Sequence, residues 1–81
     1  NPQIIVAVYE YEQKYYGRVI ASFNKQGVID DSIYAPISRT NRLVGDPYYS
    51  GLDIIWDLEK RGSKYTGGEI LDPKRGKVYN V

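Results

Sequence analysis

The stretch from Lys64 to Tyr79, which reads KYTGGEILDPKRGKVY, decides the fold. Its middle, Asp72-Pro73-Lys74-Arg75-Gly76, holds residues that close tight turns, because proline presets one backbone dihedral and glycine accepts a left-handed one. Aliphatic, β-branched and aromatic residues stand on both sides of this turn, a composition that favours strands. We therefore predict two antiparallel strands, residues 65–71 and residues 77–81, joined by the turn.

Two adjacent glycines, Gly67 and Gly68, interrupt the first of these strands. Glycine inside a strand marks a bulge, a sharp bend or the close approach of another backbone, and in a barrel it marks a corner. Gly17 stands in a similar place, since residues 15–20 and residues 65–70 both read Tyr-x-Gly-x-x-Ile. We expect two equivalent, strongly coiled strands, with a neighbouring strand packed against Gly67.

The first third of the chain reads as a hairpin. Ile4 to Tyr11 (IIVAVYEY) and Tyr15 to Phe23 (YYGRVIASF) are rich in β-branched and aromatic residues. A turn centred on Gln13-Lys14 places Val8 opposite Val19. The apolar face then comprises Ile4, Val6, Val8, Val19, Ala21 and Phe23. The turn has no Asn-Gly or Asp-Gly pair, so a one-residue slip, which would exchange the two faces, stays open.

A third strand is predicted from Leu52 to Leu58 (LDIIWDL), where apolar and polar residues largely alternate. One side carries Leu52, Ile54, Trp56 and Leu58. Trp56 is the expected core anchor, and a helix is the competing interpretation because the segment has few breakers. A hairpin loop over residues 59–63 leads into the strand 65–71, so the order is hairpin, long loop, three-strand meander.

The connection from Asn24 to Ser50 is dominated by turn residues, and its apolar residues follow no sustained periodicity. We predict a structureless loop, unusual in so small a domain and often functional. A short helical turn near Asp30-Asp31 is one expectation. Val28-Ile29 and Leu43-Val44 are expected to pin the loop to the core, and Tyr48-Tyr49 to cover a cavity or pack the loop down.

Composition excludes several function classes. The 81 residues, 1–81, make one β domain, and 11 basic residues stand interspersed with 10 acidic ones, which argues against a nucleic-acid partner. The chain has no cysteine and no histidine, so disulfides, thiolates and the usual neutral general base are missing. No apolar run is long enough for a membrane span. The start, Asn1-Pro2-Gln3, suggests a mature or trimmed chain without a signal peptide.

The remaining acids and hydroxyls favour no chemistry. Asp30-Asp31 and the pair Asp53 and Asp57 are more simply a solvated surface than a catalytic or calcium site, and no serine has a histidine to activate it. We predict no enzyme, no metal and no cofactor.

The nine tyrosines leave one alternative open. Tyr9, Tyr11 and Tyr16 beside Arg18 could stack on single-stranded nucleic acid or on a sugar. An ordinary strand surface or second core layer is the favoured interpretation, because strands are rich in tyrosine anyway.

The opening stretch also carries a family resemblance. Gly67 to Tyr79 is similar to the G-G-x-I-x-D-P-x-x-G-K-x-Y signature of bacterial exported proteins, domain-of-unknown-function family 2147. Lys14 to Ile20 resembles that family's first hairpin, and Gly51-Leu52 with the following strand resembles its central segment. The resemblance implies a lipocalin-like antiparallel barrel, periplasmic or secreted, with no established enzymatic activity. Family members continue past the position of Val81, so we expect either part of a larger barrel or open edges covered by another copy.

The sequence therefore predicts an all-β fold: an antiparallel coiled sheet or partial lipocalin-like barrel of about five strands with one long loop. The predicted function is a non-catalytic binding domain of the bacterial cell envelope that takes a small apolar or amphipathic ligand between sheet and loop. The predicted lining is Val6, Val8, Val19, Ala21, Phe23, Ile54 and Trp56. The structural motif is Gly17, Gly67, Gly68, Asp72, Pro73 and Gly76.

Two alternatives stay open at this point. The predicted lining residues could instead form a filled core. The domain could also be a structural or protein-interaction module that self-associates through open sheet edges.

Overall fold

Seven strands form one antiparallel sheet in the computed structural model, which describes residues 3–81. The strands are β1 (Gln3–Tyr11), β2 (Lys14–Phe23), β3 (Ile29–Ser32), β4 (Asp53–Arg61), β5 (Lys64–Thr66), β6 (Glu69–Asp72) and β7 (Lys77–Asn80). The path across the sheet runs β1-β2-β4-β6-β7, with β3 beside β2 and β5 beside β4. The all-β prediction is confirmed. Within the described residues the sheet is open and does not close into a barrel.

The strand count is seven rather than five because of two local features. The strand predicted over residues 65–71 is divided at Gly67-Gly68 into β5 and β6, which pair with different parts of β4. The additional strand, β3, forms inside the predicted loop and pairs with the end of β2. Throughout residues 3–81, no helix is long and apolar enough to cross a membrane.

The first hairpin turns one residue earlier than predicted. Glu12 and Gln13 form its two-residue turn with φ angles of 51° and 69°, the pair of left-handed conformations that a type I′ turn requires. Val6 therefore lies opposite Val19, and Val8 lies opposite Gly17. The predicted pairing of Val8 with Val19 is wrong by two residues, a shift that keeps the side chains between the turn and Val6 on their predicted faces. A bulge between Ile5 and Val6 then shifts the register by one residue, so that Ile5 lies opposite Ala21 and Ile4 lies opposite Ser22.

Strand β2 pairs with three other strands. It pairs with β1 on one side, while its other side pairs first with β4 and then with β3. Between these two partners the two residues that precede β4 join β2: the Val19 amide donates to the Leu52 carbonyl at 2.9 Å, and the Gly51 amide donates to the Val19 carbonyl at 2.7 Å. Val19 is thereby enclosed from several directions and is 1% exposed.

The long connection is folded, contrary to the structureless loop that its composition predicted. Thr40 donates both its amide and its hydroxyl to the Pro47 carbonyl, each at 2.8 Å, and the Tyr49 amide donates to the Ser38 carbonyl at 3.1 Å. The Arg39 guanidinium lies 4.1 Å from the centre of the Tyr48 ring. The helical turn expected near residues 30–31 is also wrong, because strand β3 occupies that position.

The core is small. Val19, Ile54 and Leu71 are its buried members, and Trp56 packs against them only partly buried. Of the residues expected to pin the long connection, Leu43 packs on this core. The other three are largely exposed: Val28, Ile29 and Val44.

Two glycines flank β4. A Cβ atom added to Gly68 would lie 2.2 Å from the carbonyl oxygen of Trp56, and one added to Gly17 would lie 2.8 Å from Cδ1 of Ile55. Gly67 has a φ of 80° and no atom within 4 Å of an added Cβ, so the close neighbour expected there lies at Gly68 instead. The two glycines therefore have different roles: Gly67 makes the left-handed bend, and Gly68 lets the strand approach β4.

Candidate functional site

A partly open cavity of about 340 Å³ lies between the sheet and the long connection. Its apolar wall is formed by Ile4 of β1, Val19 and Phe23 of β2, and Tyr49 of the long connection. β2 contributes two of these side chains, Val19 and Phe23. The apolar side chains thus come from both the sheet and the connection that covers it.

Charged side chains complete the lining. Lys25 follows β2, Asp30 lies in β3, and Lys74 lies in the turn between β6 and β7. All three residues are exposed, so their charged groups lie at the solvent side of the cavity. Two exposed cations against one exposed carboxylate give this edge a positive balance.

The predicted turn of residues 72–76 places Lys74 at the cavity. Asp72 Oδ1 accepts hydrogen bonds from the Lys74 amide at 3.1 Å and from the Arg75 amide at 3.4 Å, and the Gly76 amide donates to the Asp72 carbonyl at 2.8 Å. Gly76 has a φ of 68°, and a Cβ there would lie 2.6 Å from the Arg42 carbonyl oxygen. The turn is therefore held on one side by Asp72 and on the other by the long connection.

Asp31 is the buried charge of this site, only 4% exposed. Its carboxylate accepts hydrogen bonds from the Ser38 amide at 2.8 Å, the Ser50 hydroxyl at 2.9 Å and the Ile37 amide at 3.3 Å. Burial alone raises the pKa of Asp31, but these donors outweigh it and hold that pKa below its usual value. Asp31 thus stays ionised and fastens the long connection to β3.

Asp31 is also unsuited to bind calcium in this arrangement, because both carboxylate oxygens already accept hydrogen bonds. Over residues 3–81, no three side chains of His, Cys, Asp or Glu gather in a group that could hold a metal ion. The arrangement can bind a molecule by shape and charge.

The structure distributes the seven predicted lining residues over different environments. Val19 and Phe23 line the cavity. Ala21 and Ile54 are buried at 6% and 7% exposure, Val6 and Trp56 pack on the core, and Val8 is 64% exposed. Those five do not line this cavity. Val8 loses its predicted place because the hairpin register sets it opposite Gly17, which offers no side chain to pack against.

Apart from Tyr49, which was expected with Tyr48 either to cover a cavity or to pack the loop down, the polar residues of the site were not identified as such from the sequence. Ser38, Ser50 and Lys74 come from separate segments of the chain, and no spacing rule connects them. The only sequence feature that pointed to the buried carboxylate was the doublet Asp30-Asp31 beside Ile29. In a half-buried strand, one of two adjacent carboxylates faces inward.

Comparisons with known proteins agree with the signature in the opening stretch. The family model described as "Uncharacterized protein conserved in bacteria (DUF2147)" matches residues 1–81, the whole chain. No curated protein and no solved structure matches the chain.

Proposed function

The chain belongs to the DUF2147 family of uncharacterised bacterial proteins, and from this premise we propose that it is a non-catalytic domain that binds a small amphipathic ligand. The observation that carries the proposal is the cavity beneath the long connection, with an apolar wall and lysines at its solvent side. Ligand sites of proteins are typically concave and mostly apolar, with a few polar groups that orient the ligand.

The size of the cavity favours a short apolar chain. Its volume of about 340 Å³ lies at the lower end of the roughly 300–1,000 Å³ typical of ligand pockets. Ile4, Val19 and Phe23 supply apolar surface for an alkyl chain, and Tyr49 supplies a ring with a polar end. A medium-length acyl chain suits this lining better than a long one.

The charges favour an anionic head group. Lys25 and Lys74 can approach such a group from two directions, since they lie in different turns. Asp30 opposes them, but the Ser22 hydroxyl donates to its carboxylate at 3.4 Å. The second carboxylate, Asp31, is compensated by its own donors and contributes little field at the opening.

A blocking variant tests the cavity directly. Decanoate titrated into the native chain, followed by calorimetry and by NMR of the Val19 and Phe23 signals, should bind saturably. Ser38→Trp should abolish decanoate binding, because residue 38 lines the cavity and the larger side chain would block it. Ser63→Trp is the matched control in the exposed β4–β5 turn. Equal affinity of both variants for decanoate would remove the cavity as the binding site, and no saturable binding to the native chain would remove this ligand class.

A charge reversal tests the head group. Lys74→Glu should weaken decanoate binding by roughly tenfold or less, the scale of one exposed charge pair, while Lys64→Glu in β5 should leave it unchanged. Decanol, which has the same chain without the charge, should bind equally to both variants. Loss of decanol binding in Lys74→Glu would show that the substitution damages the cavity and not the charge contact.

The absence of catalysis and the cell-envelope location are further parts of the proposal. The first is supported by a sequence without histidine or cysteine, and the second by the resemblance to exported proteins. Recovery of the native gene product in the periplasmic or culture fraction of its host is the expected result. Recovery in the cytoplasmic fraction alone would contradict the location.

The open edges favour a second candidate, self-association. β1 pairs only with β2, and β7 pairs only with β6, so each presents unpaired backbone groups in the described part of the chain. Exposed apolar residues of β1 include Ile4 and Val8. Sedimentation over a hundredfold concentration range tests this candidate: a dimer that Val8→Lys dissociates supports it, and a concentration-independent monomer removes it.

A further inference from the structure

A second concave site lies away from the cavity, on the tyrosine-rich face of the first hairpin. Its groove, of about 340 Å³, is lined by Tyr9, Tyr11, Tyr16, Asp53 and Trp56. We call this the aromatic groove. The hairpin turn brings its tyrosines together, because Tyr9 and Tyr16 are direct partners across the two strands and Tyr11 precedes the turn.

Two rings of the aromatic groove, those of Tyr9 and Tyr16, are anchored through their hydroxyl groups. Tyr9 and Tyr16 stack with ring centres 5.5 Å apart, and Tyr11 meets Tyr16 edge to face at 6.4 Å. The Tyr9 hydroxyl donates to Asp53 at 3.2 Å, and the Tyr16 hydroxyl donates to Asp57 at 3.0 Å. Phenol groups anchored in this way present their ring faces and edges without rotating freely.

One ring of the groove already contacts a cation of the chain itself. The Arg18 guanidinium lies 5.4 Å from the centre of the Tyr9 ring, a distance at which the ring quadrupole attracts a positive charge. Arg18 is held there by a two-point contact with Asp53, at 2.9 and 3.3 Å. Its charge is thereby balanced.

The remaining charge at the groove is negative. Asp57 is exposed, accepts a hydrogen bond from the Tyr16 hydroxyl, and forms no ion pair within residues 3–81. Lys14, which pairs with Tyr11 across the hairpin, lines a separate depression with Glu12 and Glu59. Aromatic faces beside an unbalanced carboxylate attract a cation and repel the phosphates of a nucleic acid.

We propose that the aromatic groove binds a quaternary ammonium group of a small molecule. Such a group is a large, weakly hydrated cation, so it gains from several ring faces at once and loses little hydration. Tyr11 and Trp56 supply ring surface, and Asp57 supplies the opposite charge nearby. The site is distinct from the cavity beneath the long connection and does not depend on a ligand there.

Choline and its uncharged isostere 3,3-dimethyl-1-butanol separate charge from shape. Trp56 is the only tryptophan and lines the groove, so its fluorescence reports occupancy. Choline should produce a saturable change at millimolar concentration, and the isostere should bind at least about threefold more weakly, the scale of one exposed cation–π contact. Equal binding of the two probes would overturn the proposal, as would no saturable change up to 100-millimolar choline. Binding of glucose in place of choline would identify a sugar platform and would overturn it too.

Two matched tyrosines test the location. Tyr11→Ala removes the ring of a groove residue that is 60% exposed, while Tyr34→Ala removes the ring of a residue that is 92% exposed and does not line the groove. Choline affinity should fall about three- to tenfold in the first variant and stay unchanged in the second. Asp57→Asn should also lower the choline affinity, because it removes the negative charge while keeping the shape of the side chain. If all three variants bind choline like the native chain, the groove is not the site.

Discussion

Gly68 lies directly against the backbone of Trp56: a Cβ atom on residue 68 would come within 2.2 Å of the Trp56 carbonyl oxygen and within 2.8 Å of the Leu58 amide nitrogen. This contact lets β6 pair closely with β4 beside Asp57, whose φ is 57°. The obstacle is main chain, which cannot rotate away as a side chain can.

We therefore expect Gly68→Ala to destabilise the fold by about 3 kcal/mol or more, because overpacking against rigid neighbours is costly. Gly67→Ala provides the matched control: its φ is 80° but nothing lies near the added Cβ, so only backbone strain of about 1 kcal/mol applies. Urea denaturation of both variants measures the difference. Similar midpoints would show that β4 and β6 are not in this close contact.

Asp31 is a second residue whose substitution should lower the stability of the fold. Asp31→Asn places an amide nitrogen where Ser38 or Ile37 donates an N–H, so we expect a loss of about 2 kcal/mol in the free energy of unfolding. Asp30→Asn, one residue earlier and exposed, should change stability by less than about 0.5 kcal/mol. Chemical denaturation at neutral pH compares the two, and equal losses would mean that the buried hydrogen bonds are not the cause.

The same carboxylate predicts a pH dependence. Its folded-state pKa is below its unfolded value, so the unfolded chain binds the proton first, and stability falls as the pH falls. The contribution is complete above about pH 4 and is lost as the pH falls through the folded-state pKa. The free-energy difference between the native chain and Asp31→Asn should therefore shrink between neutral and strongly acidic pH. A constant difference would contradict a depressed pKa.

Tyr16 provides a test in the alkaline range. The hydrogen bond to Asp57, together with some burial and the charge of Asp57, raises the pKa of Tyr16 above its usual value. In Asp57→Asn this pKa should fall, because the carboxylate that opposes phenolate formation is gone. NMR titration of the tyrosine ring carbons, compared between the native chain and the variant, resolves the change. An unchanged Tyr16 titration would show that the two side chains are not in contact.

Local chemistry made the strands and the last turn predictable. The alternation in residues 52–58 identified a strand, and the turn of residues 72–76 forms where its proline and glycine indicated. The exact hairpin register was not predictable, because Glu12 and Gln13 adopt left-handed conformations that neither residue favours. Because of that register, Val8 lies opposite Gly17 and is exposed to solvent.

The cavity was predictable only as a place between sheet and loop. Val19 and Phe23 could be assigned from the strand pattern. Tyr49 was expected only under one of two alternatives, as a cover over a cavity or as a contact that packs the loop down. Ser38 and Lys74 could not be assigned, since their positions follow from the folding of the long connection around Asp31 and from the turn after β6. In the sequence, a buried aspartate such as Asp31 cannot be distinguished from an exposed one, because its hydrogen-bond donors come from distant residues.

The sequence by itself determined that the chain is all-β, where most strands lie, and which family it belongs to, because strand propensity, glycine and proline act within a few residues of chain. Tertiary structure decided that the sheet stays open across residues 3–81, that β3 forms, and which side chains meet at the cavity and the aromatic groove. Those outcomes depend on contacts between distant segments, such as Gly68 with Trp56 and Asp31 with Ser50. Each such contact needs a partner whose position only the folded backbone provides.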